Sequence, residues 1–210
     1  MLRLILFGPG GFGRELLRAA RHNYEDVVFG ADDPGPPVMG APVLTPGEFR
    51  DDDELVVAIG NPAVRRRIVD RFPALKLGSV RAPTAIIGDE VEIGPGAVFC
   101  DFTMVTASAR IGANFQCNIY SYVAHDCIIG DDVTFAPQVC CNGNVHIGDG
   151  AYIGTGAVVN NGTADKPLII GAGAVVGSGA VVTKDVPPNA VVVGNPARPL
   201  ERKAPGSPTG

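Results

Sequence analysis

From Ile87 onward one apolar residue recurs every six places: Ile87, Ile93, Phe99, Val105, Ile111, Cys117 and so on through Val159, thirteen positions without a polar exception. Four places after each lead residue stands a residue that is mostly small or β-branched, such as Val91, Ala97, Thr103 and Ala109. Glycine follows the lead residue at 88, 94, 112, 130, 148 and 154. A helix repeats every 3.6 residues and a half-buried strand every two, so neither generates this period. A solenoid does. Each hexad then supplies one short parallel strand and a corner, the lead residue points inward, and coils stacked about 4.8 Å apart share backbone hydrogen bonds. A small fifth residue suits a cramped corner, and glycine in second place permits close backbone approach or a positive φ. The register breaks once, at 160–169, and resumes at Ile170-Gly171, Val176-Gly177 and Val182. An inserted loop at 161–166 is expected to project from the coil.

The first 80 residues follow a different pattern. Strand signals at 2–7, 27–30, 55–59 and 75–80 alternate with helix signals at 12–23 and 62–72. That alternation predicts parallel βαβ units. Residues 31–54, rich in Pro, Gly and Asp, read as a surface connection. The expected organisation is an α/β head over 1–80, a solenoid over 81–200 and a tail over 201–210.

Composition narrows the function classes. With 46% hydrophobic and 19% charged residues the chain can bury a core, which a disordered sequence cannot. A net charge of −5 and a pI near 5.1 argue against a nucleic-acid or anionic-membrane surface, because phosphate neutralisation needs clustered cations. The one basic run, Arg65-Arg66-Arg67, is expected to form a solvated helix face. No apolar stretch approaches the roughly 20 residues that span a bilayer, and the start, Met-Leu-Arg, runs straight into a strand pattern, so a cytoplasmic protein is expected. Five cysteines at irregular spacing, without a CxxC pair, predict reduced thiols and neither a disulfide nor a zinc framework.

Two histidines lie in the repeat, and their places separate them. His146 is sixth in its hexad and reads as a surface residue. His125 is third, beside a corner, and should point out of the coil with Asp126 next to it. A neutral imidazole, whose ordinary pKa is near 6.5, is suited to taking a proton from an attacking amine or hydroxyl. A neighbouring carboxylate fixes its tautomer. Cys127, two residues away, offers a rival covalent route, but its fifth place turns it toward the core. In the head, Gly8-Pro9-Gly10-Gly11-Phe12-Gly13 is a full G-x-G-x-x-G between a strand and a helix, with Asp32 and Asp33 after the next strand. Such a loop lets phosphate approach a helix N-terminus, and the acidic pair can accept ribose or base hydrogen bonds. Roughly 80 residues supply only one half of a dinucleotide fold, which disfavours NAD.

The Ile-Gly-x-x-Ala/Val-x pattern resembles the hexapeptide-repeat acyltransferases. The head, the segment from Ser121 through His125-Asp126-Cys127 to Asp131, and the ending Val193-Gly194-Asn195-Pro196-Ala197-Arg198 resemble the bacterial sugar acetyltransferases of the NeuD/PglD type. The resemblance covers nearly the whole chain. It implies a small Rossmann-like head followed by a left-handed parallel β-helix, assembled as a homotrimer with its sites between subunits. It also implies acetyl-CoA as cosubstrate and direct N-acetylation of a nucleotide-linked amino sugar by His125 with Asp126, the latter standing where the family often has Glu. The same resemblance places the nucleotide sugar at Gly8, Gly10, Gly11, Phe12, Gly13, Asp32, Asp33 and a second loop, Ile59-Gly60-Asn61. It places coenzyme A near Gly154, Thr155, Gly173 and the loop ending in Arg198. Thr134 stands where some relatives carry a histidine that touches acetyl-CoA. Lys166, Lys184, Arg198, Arg202 and Lys203 cluster late in the chain and suit the phosphates of coenzyme A. A sugar O-acetyltransferase of the sialic acid type and a non-catalytic nucleotide-sugar scaffold are the alternatives. No metal is expected at the site.

Overall fold

The computed structural model describes residues 2–200, so Arg202, Lys203 and the rest of the tail lie outside the described residues. The head is one parallel sheet, with β1 (Arg3–Phe7), β2 (Asp26–Gly30), β3 (Val43–Leu44), β4 (Glu54–Val57) and β5 (Lys76–Leu77) in the order β3-β2-β1-β4-β5. Helices α1 (Gly11–Asn23) and α2 (Pro62–Arg71) cross between strands. Central β1 is buried throughout, and its alternation sorts it between two cores. Leu4 and Leu6 pack with Leu16, Leu17 and Phe29 on one face, while Ile5 and Phe7 pack with Val28, Leu55 and Ile68 on the other.

Two boundaries differ from the sequence expectation. The segment 31–54 is more than a connection: Val43–Leu44 adds an edge strand to β2, and Pro46–Glu48 forms a 3-10 turn. A two-residue strand is too short to show a period. The strand expected at 75–80 divides, because Gly78 packs so closely that a Cβ there would stand 2.8 Å from the Leu4 side chain. β5 ends at Leu77, and Val80–Arg81 pairs instead with Val98–Phe99 in the solenoid.

From Val80 the chain winds as a parallel β-helix whose two- to four-residue strands stack on three faces. Residues opposite one another are 18 apart, three hexads per coil: Val105 and Val123, Ile111 and Ile129, Cys117 and Phe135. The first face holds Gln116–Cys117 and Thr134–Phe135, the second Tyr122–Val123 and Cys140–Cys141, and the third Ile128–Ile129 and Val145–Ile147. Lead residues such as Val105, Val123 and Phe135 are fully buried. Glycine in second place serves close approach alone: a Cβ on Gly130 would stand 2.2 Å from Asp149 Oδ1 of the next coil. Positive φ falls instead on the fourth place, at Ser108, Asn114, Tyr120, Asp126, Asp132 and Gln138 among others. The insertion also lengthens one coil. His146 lies opposite Ile169, 23 residues on rather than 18, so five extra residues bulge out before Leu168–Ile170 rejoins the third face.

The basic run departs most from expectation. Arg67 is exposed, but Arg65 is fully buried where the head meets the first face. Its guanidinium donates to the carbonyls of Ile59 (2.9 Å), Asn114 (3.2 Å) and Asp132 (2.6 Å) and to Gln116 Oε1 (3.2 Å). Gln116 in turn donates to Val57 O at 2.7 Å. Burial pulls the Arg65 pKa down to about 10, with Asp132 opposing the fall. It therefore remains charged at neutral pH, satisfied by acceptors from both domains. Arg66 pairs with the Asp132 carboxylate beside it. Among the described residues no helix is long and apolar enough to cross a membrane.

Arg65→Ala should cost about 3 kcal/mol in urea denaturation, because it strands several buried carbonyls without a donor. Arg67→Ala should cost under about 0.5 kcal/mol, as an exposed substitution. Equal midpoints for the two variants would contradict the interfacial role of Arg65.

Candidate active site

His125 lies on the edge where the chain turns from the second face to the third, just after Tyr122–Val123. Its side chain is 59% exposed, as its third place in the hexad predicts. Asp126 takes the positive-φ corner position at φ 58°, a conformation that Asp tolerates better than most residues. Its Oδ2 sits 2.7 Å from His125 Nδ1. With Nδ1 donating to the carboxylate, Nε2 presents a lone pair to solvent, the arrangement a general base needs. The one-methylene shorter Asp126 therefore reaches the imidazole directly.

One supporting residue carries no signal in the sequence beyond being glycine. Gly143 lies on the same edge one coil on, and a Cβ there would stand 2.5 Å from His125 Cε1 and 2.6 Å from Nε2. The imidazole thus rests on bare backbone. The next amide, Asn144 N–H, donates to His125 O at 3.0 Å and ties the two coils together.

Cys127 faces the interior, with Sγ 3.2 Å from Asn142 O. Its thiol is held below the usual range, chiefly by a hydrogen bond with Cys141, but burial keeps it from any substrate. Burial pushes the Cys100 thiol up to about 12, and Cys117, wholly enclosed, is raised as well. None of these buried thiols is presented as a nucleophile.

In the head, chain order reverses between β1 and β4, and the loops that follow these two strands flank the crevice where open α/β sheets bind ligands. Gly13 is required by packing, since a Cβ would meet Gly8 O at 2.0 Å. Gly8 has φ 111°, and Gly10 and Gly11 have nothing within 4 Å of a notional Cβ. The α1 N-terminus with Phe12 is thereby left open to an anion. The second loop is less free. Ile59 O and Gly60 O accept from Arg65, and Asn61 caps α2 through Val64 N–H at 3.0 Å. The acidic pair is also split. Arg71 holds both oxygens of Asp32, at 2.5 and 3.3 Å, whereas Asp33 is exposed and makes no hydrogen bond among the described residues.

A cleft of about 270 Å³ runs from these loops onto the first face, walled by Phe12, Glu15 and Gly60 of the head and by Asn118, Tyr152 and Thr155 of the coil. Glu15 and Asn118 carry no motif that would single them out in the sequence. Thr134 also lines this cleft, but its hydroxyl donates to Gly60 O at 2.8 Å and is engaged in joining the domains.

The residues expected around coenzyme A are not brought together within one chain. Lys166 and Lys184 line a groove of about 550 Å³ with Asn161 and Thr163, on the same edge as His125. Thr155 stands on the edge between the first and second faces. Gly173 lies on the third edge, in a cleft of about 680 Å³ with Gly60 and Asn61. Gly154 is buried, placed by the 2.6 Å separation between a notional Cβ and Ser178 N. Arg198 is exposed and donates to Ala197 O at 2.9 Å.

The PglD N-terminal domain family model matches residues 3–72. GDP-perosamine N-acetyltransferase of Escherichia coli O157:H7 is 42% identical, the match covering 94% of this chain and 96% of that protein. Among solved structures, WeeI from Acinetobacter baumannii AYE superposes with a TM-score of 0.91 at 47% identity, covering 95% of this chain and 100% of that one. PerB from Caulobacter crescentus, in complex with CoA and GDP-perosamine, superposes with a TM-score of 0.85 at 28% identity, covering 94% and 97%.

Gly143→Ala should fold, since no positive φ is needed there, but should push the imidazole off Asp126. The hydrogen-bonded Nδ1 proton, visible in ¹H–¹⁵N spectra of the histidine ring, should then disappear. An unshifted ring signal would show that Gly143 does not support the imidazole.

Proposed function

The chain belongs to the PglD-type hexapeptide-repeat sugar acetyltransferases, and from that premise we propose that it transfers the acetyl group of acetyl-CoA directly to the amine of a nucleotide-linked amino sugar. The observation that carries this reading is the exposed His125–Asp126 pair with Nε2 open to solvent. As the amine nitrogen bonds to the thioester carbon, Nε2 takes its proton, the C–S bond breaks and the imidazolium returns the proton to the departing thiolate. Asp126 holds the tautomer and stabilises the imidazolium while it exists. The diphosphate lies on the α1 N-terminus between the two head loops, with a guanosine group as in the relatives' ligand and Asp33 free to accept ribose or base hydrogen bonds.

The active unit in this reading is a homotrimer of left-handed coils working in the cytoplasm. One chain places its base on the edge between the second and third faces, while its nucleotide loops overlie the first face. A neighbouring coil supplies what is missing, and equivalent clefts follow from closed symmetry. Exposed Phe102 and Tyr120, stacked at 5.1 Å, with Met104 and Ile128, are the apolar side chains such a neighbour would cover. Lys166 and Lys184, on the His125 edge, face the phosphates of coenzyme A.

His125→Ala should keep the fold and lower kcat by roughly 10²–10⁴-fold, the usual contribution of a positioned general base. Thiol release from acetyl-CoA with GDP-perosamine as acceptor measures this, and an active, folded His125→Ala protein would sink the assignment. The product should resist hydroxylamine, as an amide does. A labile product would favour the O-acetyl alternative, and no turnover would favour a binding scaffold. Light scattering of the active protein should give three times the chain mass, and a fully active monomer would contradict the shared site.

A further inference from the structure

We infer that Glu15 recognises the acceptor's amine and so selects amino sugars over their hydroxyl counterparts. The inference rests on the acceptor reading above and goes beyond it by assigning the selectivity to one side chain. Glu15 is the fifth residue of α1, one turn beyond the glycines where the diphosphate is seated. A sugar bonded to the second phosphate must leave the helix start and enter the adjoining cleft of about 270 Å³. Of the side chains lining that cleft, Glu15 alone is charged.

Its neighbours leave that charge unmatched. Arg18, the nearest basic residue one turn along the helix, is paired with Asp101 of the coil. Among the described residues Glu15 has neither an ion pair nor a side-chain hydrogen bond. The other polar groups of the cleft are largely committed: Gln116 bonds Val57 O and Arg65, and the Thr134 hydroxyl bonds Gly60 O. Phe12 and Phe135 make part of the wall apolar, which strengthens any charge pairing inside it.

The sign of the charge is informative. A carboxylate one turn from a bound diphosphate repels it, and a ligand that ends at the diphosphate gains nothing from Glu15. A sugar bearing an ammonium group reverses the balance, because the cation sits between the two anionic groups and forms a charge-assisted hydrogen bond with the carboxylate. Glu15 therefore binds and orients the amine, and His125 removes its proton during transfer.

The test compares Kd values by calorimetry for three ligands: GDP, GDP-perosamine, and the GDP-sugar with a hydroxyl in place of the amine. The full-length protein should bind the amino sugar nucleotide about 10- to 100-fold more tightly than the hydroxyl form, the range of a hydrogen bond to a charged group. Glu15→Gln should bring that ratio close to one while leaving GDP affinity unchanged or slightly higher, and Glu25→Gln, an exposed change beyond the helix, should leave the ratio intact. An unchanged ratio in Glu15→Gln overturns the inference. Failure of the unaltered protein to bind either sugar nucleotide overturns the acceptor reading and this inference together.

Discussion

The backbone hydrogen bonds between successive coils are the constraint on which the rest depends. An amide in one coil finds its acceptor 18 residues on, as Tyr122 N–H does at Val139 O and Ala124 N–H at Cys141 O with an offset of one. A strand of two residues has no other way to satisfy its polar groups. Coils must therefore be equal in length, corners must repeat, and extra residues must bulge outward, as they do before Leu168. The same constraint organises chemistry. Side chains in third place recur along one edge, so His125 finds the bare backbone of Gly143 beneath its ring, and the inserted loop and Lys184 fall on that edge above it.

The head is fastened to this scaffold by a buried cation. Arg65 reaches from α2 to carbonyls of two successive corners, Asn114 and Asp132, while also holding the loop after β4 through Ile59 O and Gly60 O. Burying a guanidinium is costly unless its donors are matched, and here the acceptors come from both domains, so the cost is offset only when they are docked. The consequence for function is positional. The loop 59–61 and the cleft containing Glu15 and Asn118 take their geometry from this junction. Gln116 and Thr134 add bonds across it, which is why Thr134 is engaged before any ligand arrives.

The thiols illustrate how burial assigns roles. Cys127 is two residues from the imidazole in sequence, yet its Sγ lies inside the coil, against Asn142 O, while the imidazole lies outside. A hexad corner sends consecutive residues to opposite sides of the wall. Covalent transfer through Cys127 would require the coil to open, whereas His125 already meets solvent.

The sequence by itself determined the solenoid, its inward-facing residues, the outward placement of His125 and the glycine-rich turn of the head. Each of these follows from a local period or a short motif, and backbone sterics act over only a few residues. The pattern also marked the insertion. Tertiary structure alone decided the fate of the basic run, in which Arg65 is buried and Arg67 exposed, because helix periodicity names a face without naming what packs on it. It likewise split Asp32 from Asp33 by the reach of Arg71, and set Gly143 under His125. It also distributed Thr155, Gly173 and Lys184 over three different edges. These relations join residues 18 to 68 places apart, and their geometry exists only once coils are stacked and the head is docked on the first face.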